Sequence, residues 1–352
     1  MANVLLLTRH FNDNCGTVYQ AYATCEILKQ CGHNVTVLNL TDRNYGKELC
    51  QIKGFLQIPS KIKFALFRKR FLSNLTQSFS KLADYHIPEA DYIIVGSDQV
   101  WNKAVTKSLF YDYFLVAVPD TYKRISLSSS FATDYWEANE NDTAIVSKAL
   151  NKFKAISVRE ETGVAICNET FGIEAAHLVD PTLALGDFSP FINNKIKEKN
   201  EVLFYSFKSE GYAKGIVDYI CKQTGAKARR VGVVNRKDRH KYLSTHPFFM
   251  GPKDWLNYIA HSRCVVTDSF HGIVFSLLNH RQFVAVMAHK ERFSRIESLL
   301  TLLGLKNRIA LSYEEFVEDY DAYMSPIEYS EVDKKLSEQR RLFFAFVKRN
   351  VI

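Results

Sequence analysis

The sequence predicts an α/β protein: two doubly wound, Rossmann-like units facing a cleft, with a C-terminal helix packing back on the first unit. Three observations predict it. Short apolar runs alternate with helix-length segments along most of the 352 residues, the pattern of parallel sheets covered by helices. Two of those runs end in polar clusters in separate halves of the chain, Gly96-Ser97-Asp98-Gln99 and Thr267-Asp268-Ser269-Phe270-His271-Gly272. Between the halves lies Gly186–Asn200, with Pro190 and a run of Asn and Lys, the composition of a linker. The predicted boundaries are 1–190, 200–310 and a helical extension over 311–352.

Taken in order, Val4–Thr8 reads as a strand, Val18–Gln30 as a helix ending near Cys31-Gly32, and Val35–Leu40 as the next strand. The opening Met1–Arg9 has the apolar character of a signal peptide but lacks a basic leading region, and its run is strand-length. In the loop 9–17, Gly16-Thr17 opens the helix and makes an anion site at a strand edge. The loop is not a GxGxxG fingerprint, so no dinucleotide is implied. Helical material around 60–83 precedes a strand at 91–95. After it, Asp98 is placed either to handle a ligand or to cap a helix beginning near Val100. Strands at Arg124–Ser128 and Ala155–Val158 flank a helix near 138–152. Another helix near 161–170 follows Arg159, and Leu178–Leu183 reads as a strand with a terminal turn. The second unit runs strand 202–207, helix 212–223, strand 231–234, helix 253–261, strand 264–268, helix 272–279, strand 283–287, helix 293–303.

Composition bounds the function classes. A hydrophobic content of 47% with 13% aromatics describes a packed globule rather than a disordered chain. No run reaches the length a spanning helix needs, and a cytosolic location is expected. The seven cysteines are odd in number and contain no CxxC pair, so neither a disulfide framework nor a zinc site is indicated. Cys25, Cys31 and Cys264 read as core residues, and Cys15 as the candidate accessible thiol. The histidines are scattered without ligand spacing, so no metal is expected. The formal charge of +8 favours anionic partners. Much of it lies in two segments that interleave cations with large apolar groups, Lys61–Leu72 and Lys334–Arg349. They read as ordinary helices with a solvated basic face, or as contacts with an anionic membrane surface. No nucleic-acid motif accompanies the charge, so nucleic acid is not expected as a partner.

The most informative stretch is Val265–Ser276, where an apolar strand feeds straight into a helix. Ser269, His271 and Gly272 then lie at the carboxyl edge of a sheet beside a helix N-terminus, whose first N–H groups lack intrahelical partners. A histidine there suggests an anionic ligand and a proton transfer. The plainer alternative is that Thr267 and Ser269 only cap the helix.

Six segments, in order, resemble the polysaccharide pyruvyl transferase family. They are Asn14-Cys15-Gly16-Thr17-Val18-Tyr19-Gln20-Ala21, Gly96-Ser97-Asp98-Gln99-Val100-Trp101-Asn102, Ser128-Ser129-Ser130-Phe131, Ser157-Val158-Arg159-Glu160, Asp180-Pro181-Thr182-Leu183 and Thr267-Asp268-Ser269-Phe270-His271-Gly272. Cys15 and Ala132 depart from the family pattern, which carries a Tyr or similar residue and a Gly there. The resemblance implies a GT-B-like fold, phosphoenolpyruvate as co-substrate with no other cofactor, and a glycan acceptor, free or carried on a polyprenyl diphosphate. The expected chemistry is a cyclic pyruvate ketal built on two sugar hydroxyls, with release of phosphate. His271, Asp98 and Arg159 are the expected catalytic residues, Arg159 offering a fork to a carboxylate or phosphate or else pairing with a local carboxylate such as Glu160. Gly16, Thr17, Ser129, Ser269, Gly272, Arg292 and Arg295 are expected around the donor, and Trp101 and Asn102 around the acceptor. Two alternatives stay open: a glycosyltransferase of the same architecture using a nucleotide sugar, and a non-catalytic glycan or anion binder.

Overall fold

The computed structural model describes residues 1–42, 57–72, 74–206, 211–231, 243–245, 249–287 and 293–352. The described residues fall into two compact units. The first is drawn from Met1–Lys47, Ala65–Leu185 and Leu336–Ile352, the second from Glu48–Phe64 and Gly186–Lys335.

In the first unit, β1 (Asn3–Leu7), β2 (Asn34–Val37), β3 (Tyr92–Val95), β4 (Lys123–Ser126) and β5 (Phe153–Ala155) form one parallel sheet in the order β2-β1-β3-β4-β5. Leu5, Leu6 and Leu7 in β1 and Ile93, Ile94 and Val95 in β3 are all buried. That is why these strands are unbroken apolar runs rather than alternating ones. Helix α1 (Cys15–Gln30) is capped by Asn14, whose side chain accepts from the Thr17 amide. With β2 and β3 on opposite sides of β1, the winding reverses at β1. The carboxyl ends of β1 and β3, in register at Leu7 and Val95, are therefore the place where such a sheet receives ligands. Also in this unit are the C-terminal half of α2 (Ile58–Phe71), then α3 (Lys103–Thr106), α4 (Glu140–Leu150), α5 (Glu161–Phe171) and α6 (Pro181–Leu185). A short parallel pair, β6 (Ser157–Val158) and β7 (Ala176–His177), completes it.

The second unit has β8 (Lys199–Tyr205), β9 (Lys227–Val231), β10 (Leu243–Thr245), β11 (Ser262–Thr267), β12 (Gln282–Val286) and β13 (Ile309–Ala310), parallel in the order β10-β9-β8-β11-β12-β13. This is the dinucleotide-fold strand order, with its reversal between β8 and β11. The helices are α7 (Tyr212–Thr224), α8 (Pro252–Ala260), α9 (Phe270–Leu278), α10 (Ser294–Leu303), α11 (Tyr313–Glu318) and α12 (Tyr320–Met324). Helix α13 (Tyr329–Asn350) closes the chain and ends in the first unit, where Arg340 Nε donates to the Leu183 carbonyl at 2.9 Å. It buries Val332, Leu336, Phe343 and Val347, the ordinary amphipathic arrangement.

Several elements differ from the sequence-based expectation. The helix expected over 60–83 stops at Phe71. Residues 74–79 instead run beside β2 through parallel bridges Val37–Leu75 and Leu40–Phe79, held by the Asn39 amide donating to Thr76 Oγ1 at 3.0 Å. The strand expected over 178–183 lies upstream as β7, because Pro181 opens α6, a first-turn position that suits proline. The strand expected at 231–234 ends at Val231, and 232–234 lie outside the described residues. The helix after β3 starts at Lys103 under an Asn102 cap, not near Val100 under Asp98. Cys15 is buried in the first turn of α1, while Cys31 and Cys221 are the partly exposed thiols among the described residues.

One buried group makes stability pH-dependent. His10, in the loop after β1, is fully enclosed with Nε2 near the Leu38 carbonyl at 3.4 Å. Burial lowers its pKa from 6.5 to about 4, against the Leu38 hydrogen bond and with help from Arg68. The folded chain thus refuses a proton that the unfolded chain accepts between those values. Stability is complete above the unfolded pKa and falls as pH drops toward about 4, by about 3 kcal/mol in all. Urea melts across that window are expected to show the slope, and His10→Leu to flatten it.

Candidate active site

At the first unit's switch point, the polar groups are bound into one network. Asp98 sits just past β3 with φ +78°, a left-handed conformation that costs a non-glycine residue and is found at functional positions. Its carboxylate is fixed twice: Oδ2 accepts from Thr17 Oγ1 at 2.9 Å, and Oδ1 from the Gln99 amide at 2.8 Å. The start of α1 and the end of β3 are therefore joined through this carboxylate. Below it, Thr8 Oγ1 donates to the Ser97 carbonyl at 3.0 Å and Gln20 Nε2 donates to Thr8 Oγ1 at 3.0 Å. Ser128 and Ala132, with φ +54° and +66°, show the same strained backbone after β4. At Ala132 that explains why a glycine suits the position.

Arg159 stands at the carboxyl end of β6, as expected, but its guanidinium faces inward. Nη1 donates to Asp180 Oδ2 at 2.8 Å, Nε lies 3.9 Å from Glu160 Oε2, and the Arg159 and Asp180 side chains are 1% and 0% exposed. Burial opposes the charge of Arg159, yet Asp180, Glu160 and Asp98 together raise its pKa. It is an internal counter-ion rather than an open fork. Asp180 also accepts from Ser97 Oγ at 3.0 Å, Thr182 Oγ1 at 2.5 Å and the Thr182 amide at 3.0 Å. It thereby caps α6 and anchors the loop that presents Asp98. Glu160 Oε1 accepts from Ser130 Oγ at 2.9 Å and the Phe131 amide at 2.8 Å, and so shapes the loop after β4.

Other expected ligand groups have structural partners. Ser129 Oγ donates to the Gly96 carbonyl at 3.1 Å, tying two strand-end loops together. Trp101 is 1% exposed and stacks on Phe114 at 5.3 Å, its indole N–H donating to the Tyr113 carbonyl at 3.0 Å. It is a core ring and offers no face to a sugar. Asn102 is buried too, its Oδ1 capping α3 and its Nδ2 donating to the Phe131 carbonyl at 2.9 Å. Gly16 lies buried in the first turn of α1.

In the second unit, the ends of β8 and β11 are joined by Ser206 Oγ donating to Asp268 Oδ2 at 2.8 Å. Ser269 caps α9 by accepting from the Gly272 amide at 3.2 Å, so the capping alternative describes its hydroxyl. His271, 9% exposed, occupies the first turn of α9. The ring of Phe270 meets the His271 ring edge-on at 5.4 Å and lies under the Arg295 guanidinium at 5.9 Å. Arg292 lies outside the described residues. Among the described residues, no three His, Cys, Asp or Glu gather as metal ligands.

Gly272 is fixed by packing. A Cβ there would stand 2.6 Å from Thr267 Oγ1 and 3.1 Å from Thr267 Cγ2, at the end of β11. Alanine normally stabilises a helix position relative to glycine. Here Gly272→Ala is expected to cost about 1–3 kcal/mol through overpacking, read as a lowered urea midpoint.

Sequence reasoning placed Asp98, Thr17 and His271 at strand edges and Arg295 at the start of a helix, and named Glu160 as a partner for Arg159. It missed the work of Asp180 and Ser97 and the hold of Glu160 on the loop after β4. The available signals were an acidic residue immediately before a first-turn proline, Asp180-Pro181, and an acid directly following Arg159.

A model of the polysaccharide pyruvyl transferases matches residues 14–290. No curated protein matches the sequence. Among solved structures, a UDP-N-acetylglucosamine 2-epimerase aligns over 99% of this chain and 95% of its own with TM-score 0.56 at 10% identity. The UDP-GlcNAc 2-epimerase of Neisseria meningitidis, bound to UDP-GlcNAc, aligns over 99% and 100% with TM-score 0.53 at 10% identity. UGT89C1 of Arabidopsis thaliana, complexed with quercetin, aligns over 99% and 98% with TM-score 0.50 at 10% identity. The fold is thus the GT-B-like α/β fold of such transferases and epimerases.

Proposed function

Because the chain belongs to the polysaccharide pyruvyl transferase family, we propose that it transfers pyruvate from phosphoenolpyruvate to two hydroxyls of one sugar in a glycan precursor, closing a cyclic ketal and releasing phosphate. The observation that carries this reading is the family match across residues 14–290, which takes in both strand edges. His271 in its protonated form gives a proton to the methylene carbon of the donor, making a methyl group and an electron-poor neighbouring carbon. The first sugar hydroxyl adds to that carbon as its proton passes to the Asp98 carboxylate, which Thr17 and Gln99 hold in place. The carbon–oxygen bond to phosphate breaks, phosphate leaving with the electron pair and carrying away the proton held by Asp98. The second hydroxyl closes the ring on the same carbon, and its proton returns to His271. Positioned acids and bases of this kind contribute about 10²–10⁴-fold each.

The other residues support these two. Arg295, which like His271 contacts the ring of Phe270, supplies positive charge toward the donor's anionic groups. Arg159 acts as a positioning residue: through Asp180 and Ser97 it holds the loop that carries Asp98.

The test is to supply phosphoenolpyruvate with a panel of free and polyprenyl-diphosphate-linked glycans and to follow phosphate release together with the mass of the glycan. Phosphate is expected only when both substrates are present. Phosphoenolpyruvate is also expected to raise the melting temperature, as any ligand selective for the folded state does. Transfer from UDP-sugars with no response to phosphoenolpyruvate would replace this reading with the glycosyltransferase one.

A further inference from the structure

Helix α2 carries Lys61, Lys63, Arg68, Lys69 and Arg70 and no carboxylate. Its inner side is ordinary: Phe64 and Phe67 are buried, and Arg68 Nη1 donates to the His10 carbonyl at 3.3 Å. Its outer side is not. Ile62 is 52% exposed and Leu66 is 60% exposed, one turn apart and therefore on one ridge. Lys63, Lys69 and Arg70 are exposed beside them. Phe249, also 60% exposed, adds apolar surface at the Lys63 end, where Lys63 Nζ donates to its carbonyl at 2.7 Å. Lys63 is paired with Asp254 at 2.7 Å, so the positive charge of the ridge rests chiefly on Lys69 and Arg70. Arg70 also lines a groove of about 200 Å³ with Tyr22, Glu26, Lys29, Phe71 and Leu72, in which Lys29 is paired with Glu26 at 2.8 Å.

We propose that this ridge seats the protein on an anionic lipid surface, with Ile62 and Leu66 entering the acyl boundary and Lys69 and Arg70 meeting head-group phosphates. Bulky aliphatic groups set among cations on an exposed helix are what an interface-plane helix requires, and nucleic acid would call for the cations alone. Helix α13 carries six cations against three carboxylates, buries Phe343 and Val347, and exposes Leu342 at 39%, less than either Ile62 or Leu66 on α2, so charge does not by itself produce the α2 pattern. The proposal is independent of the reaction, because binding is measured with no substrate present.

The full chain is sedimented with vesicles of phosphatidylcholine alone and of phosphatidylcholine mixed with phosphatidylglycerol. Binding is expected only to the mixed vesicles, weakening as salt is added. The double variant Ile62→Ser/Leu66→Ser and the double variant Lys69→Gln/Arg70→Gln are each expected to lose about tenfold or more in affinity. Both should keep the wild-type melting temperature, since all four side chains are exposed. The proposal is overturned by equal binding to the two vesicle types, by no binding, or by variants that bind like wild type. Capture of the chain by a duplex oligonucleotide that releases it from vesicles would also overturn it.

Discussion

Asp180→Ala is expected to lower folding stability by about 3–5 kcal/mol, the loss typical of removing one partner from a buried ion pair. The magnitude follows from what the carboxylate holds at 0% exposure: the Arg159 guanidinium, Ser97 Oγ and both polar groups of Thr182. Alanine leaves the Arg159 charge without its 2.8 Å partner in a place water does not reach, and uncaps α6 in the same step. Against a total of roughly 5–15 kcal/mol for an ordinary domain, the loss is large enough to lower soluble yield. Asp180→Asn separates the parts. Its side-chain oxygen can still cap the Thr182 amide, so it is expected to recover the capping share, typically about 1 kcal/mol, but not the ion pair. Urea melts of the three proteins give the order wild type, Asn, Ala. An alanine variant as stable as wild type would remove Asp180 from its anchoring role. Because Ser97 precedes Asp98, turnover of the asparagine variant is expected to fall even where it is folded, as the loop presenting Asp98 loosens.

The parts of this molecule that were legible in its sequence share one physical property: the signal lies within a few consecutive residues. Val4–Leu7 in β1, Tyr92–Val95 in β3 and Cys264–Val266 in β11 are buried on both faces, so each is an unbroken apolar run, and the polar residues after it mark the carboxyl edge. The positions of Asp98 past β3 and of His271 past β11 were legible for that reason. Partnerships between distant segments were not legible. Nothing near Arg159 in sequence says that Asp180, arriving behind β7, occupies its guanidinium, and nothing around Ser129 says that the Gly96 carbonyl takes its hydroxyl. Trp101 shows the same limit for aromatics. A tryptophan just past a strand edge serves equally as a sugar platform or a core ring, and the rings of Phe114, Phe131 and Phe153 that decide the matter come from elsewhere. The shift of β7 and the early end of α2 are local errors of another kind, because proline and a polar Asn-Leu-Thr-Gln-Ser run overrode apolar periodicity.

His271→Ala is expected to reduce turnover by about 10²–10⁴-fold if the imidazole delivers the proton. The variant separates that role from the alternative in which the ring only binds phosphate as a cation. Loss of a proton donor lowers kcat and leaves the KM for phosphoenolpyruvate near its wild-type value. Loss of a phosphate contact raises KM and spares kcat. Added imidazole is expected to restore part of the lost turnover only in the first case, since a small base in the vacated space can carry a proton without rebuilding a fixed contact. His271→Asn guards against a folding artefact, filling most of the ring volume in the first turn of α9 beside Phe270. It should melt like wild type and be as inactive as the alanine form. In deuterated water the wild-type reaction is expected to place one deuterium in the ketal methyl group, because the proton added to the methylene carbon comes from an exchangeable donor. A ketal methyl without deuterium would exclude proton delivery by His271 or any other exchangeable group. A fully active alanine variant would end the role assigned to this edge of the second unit.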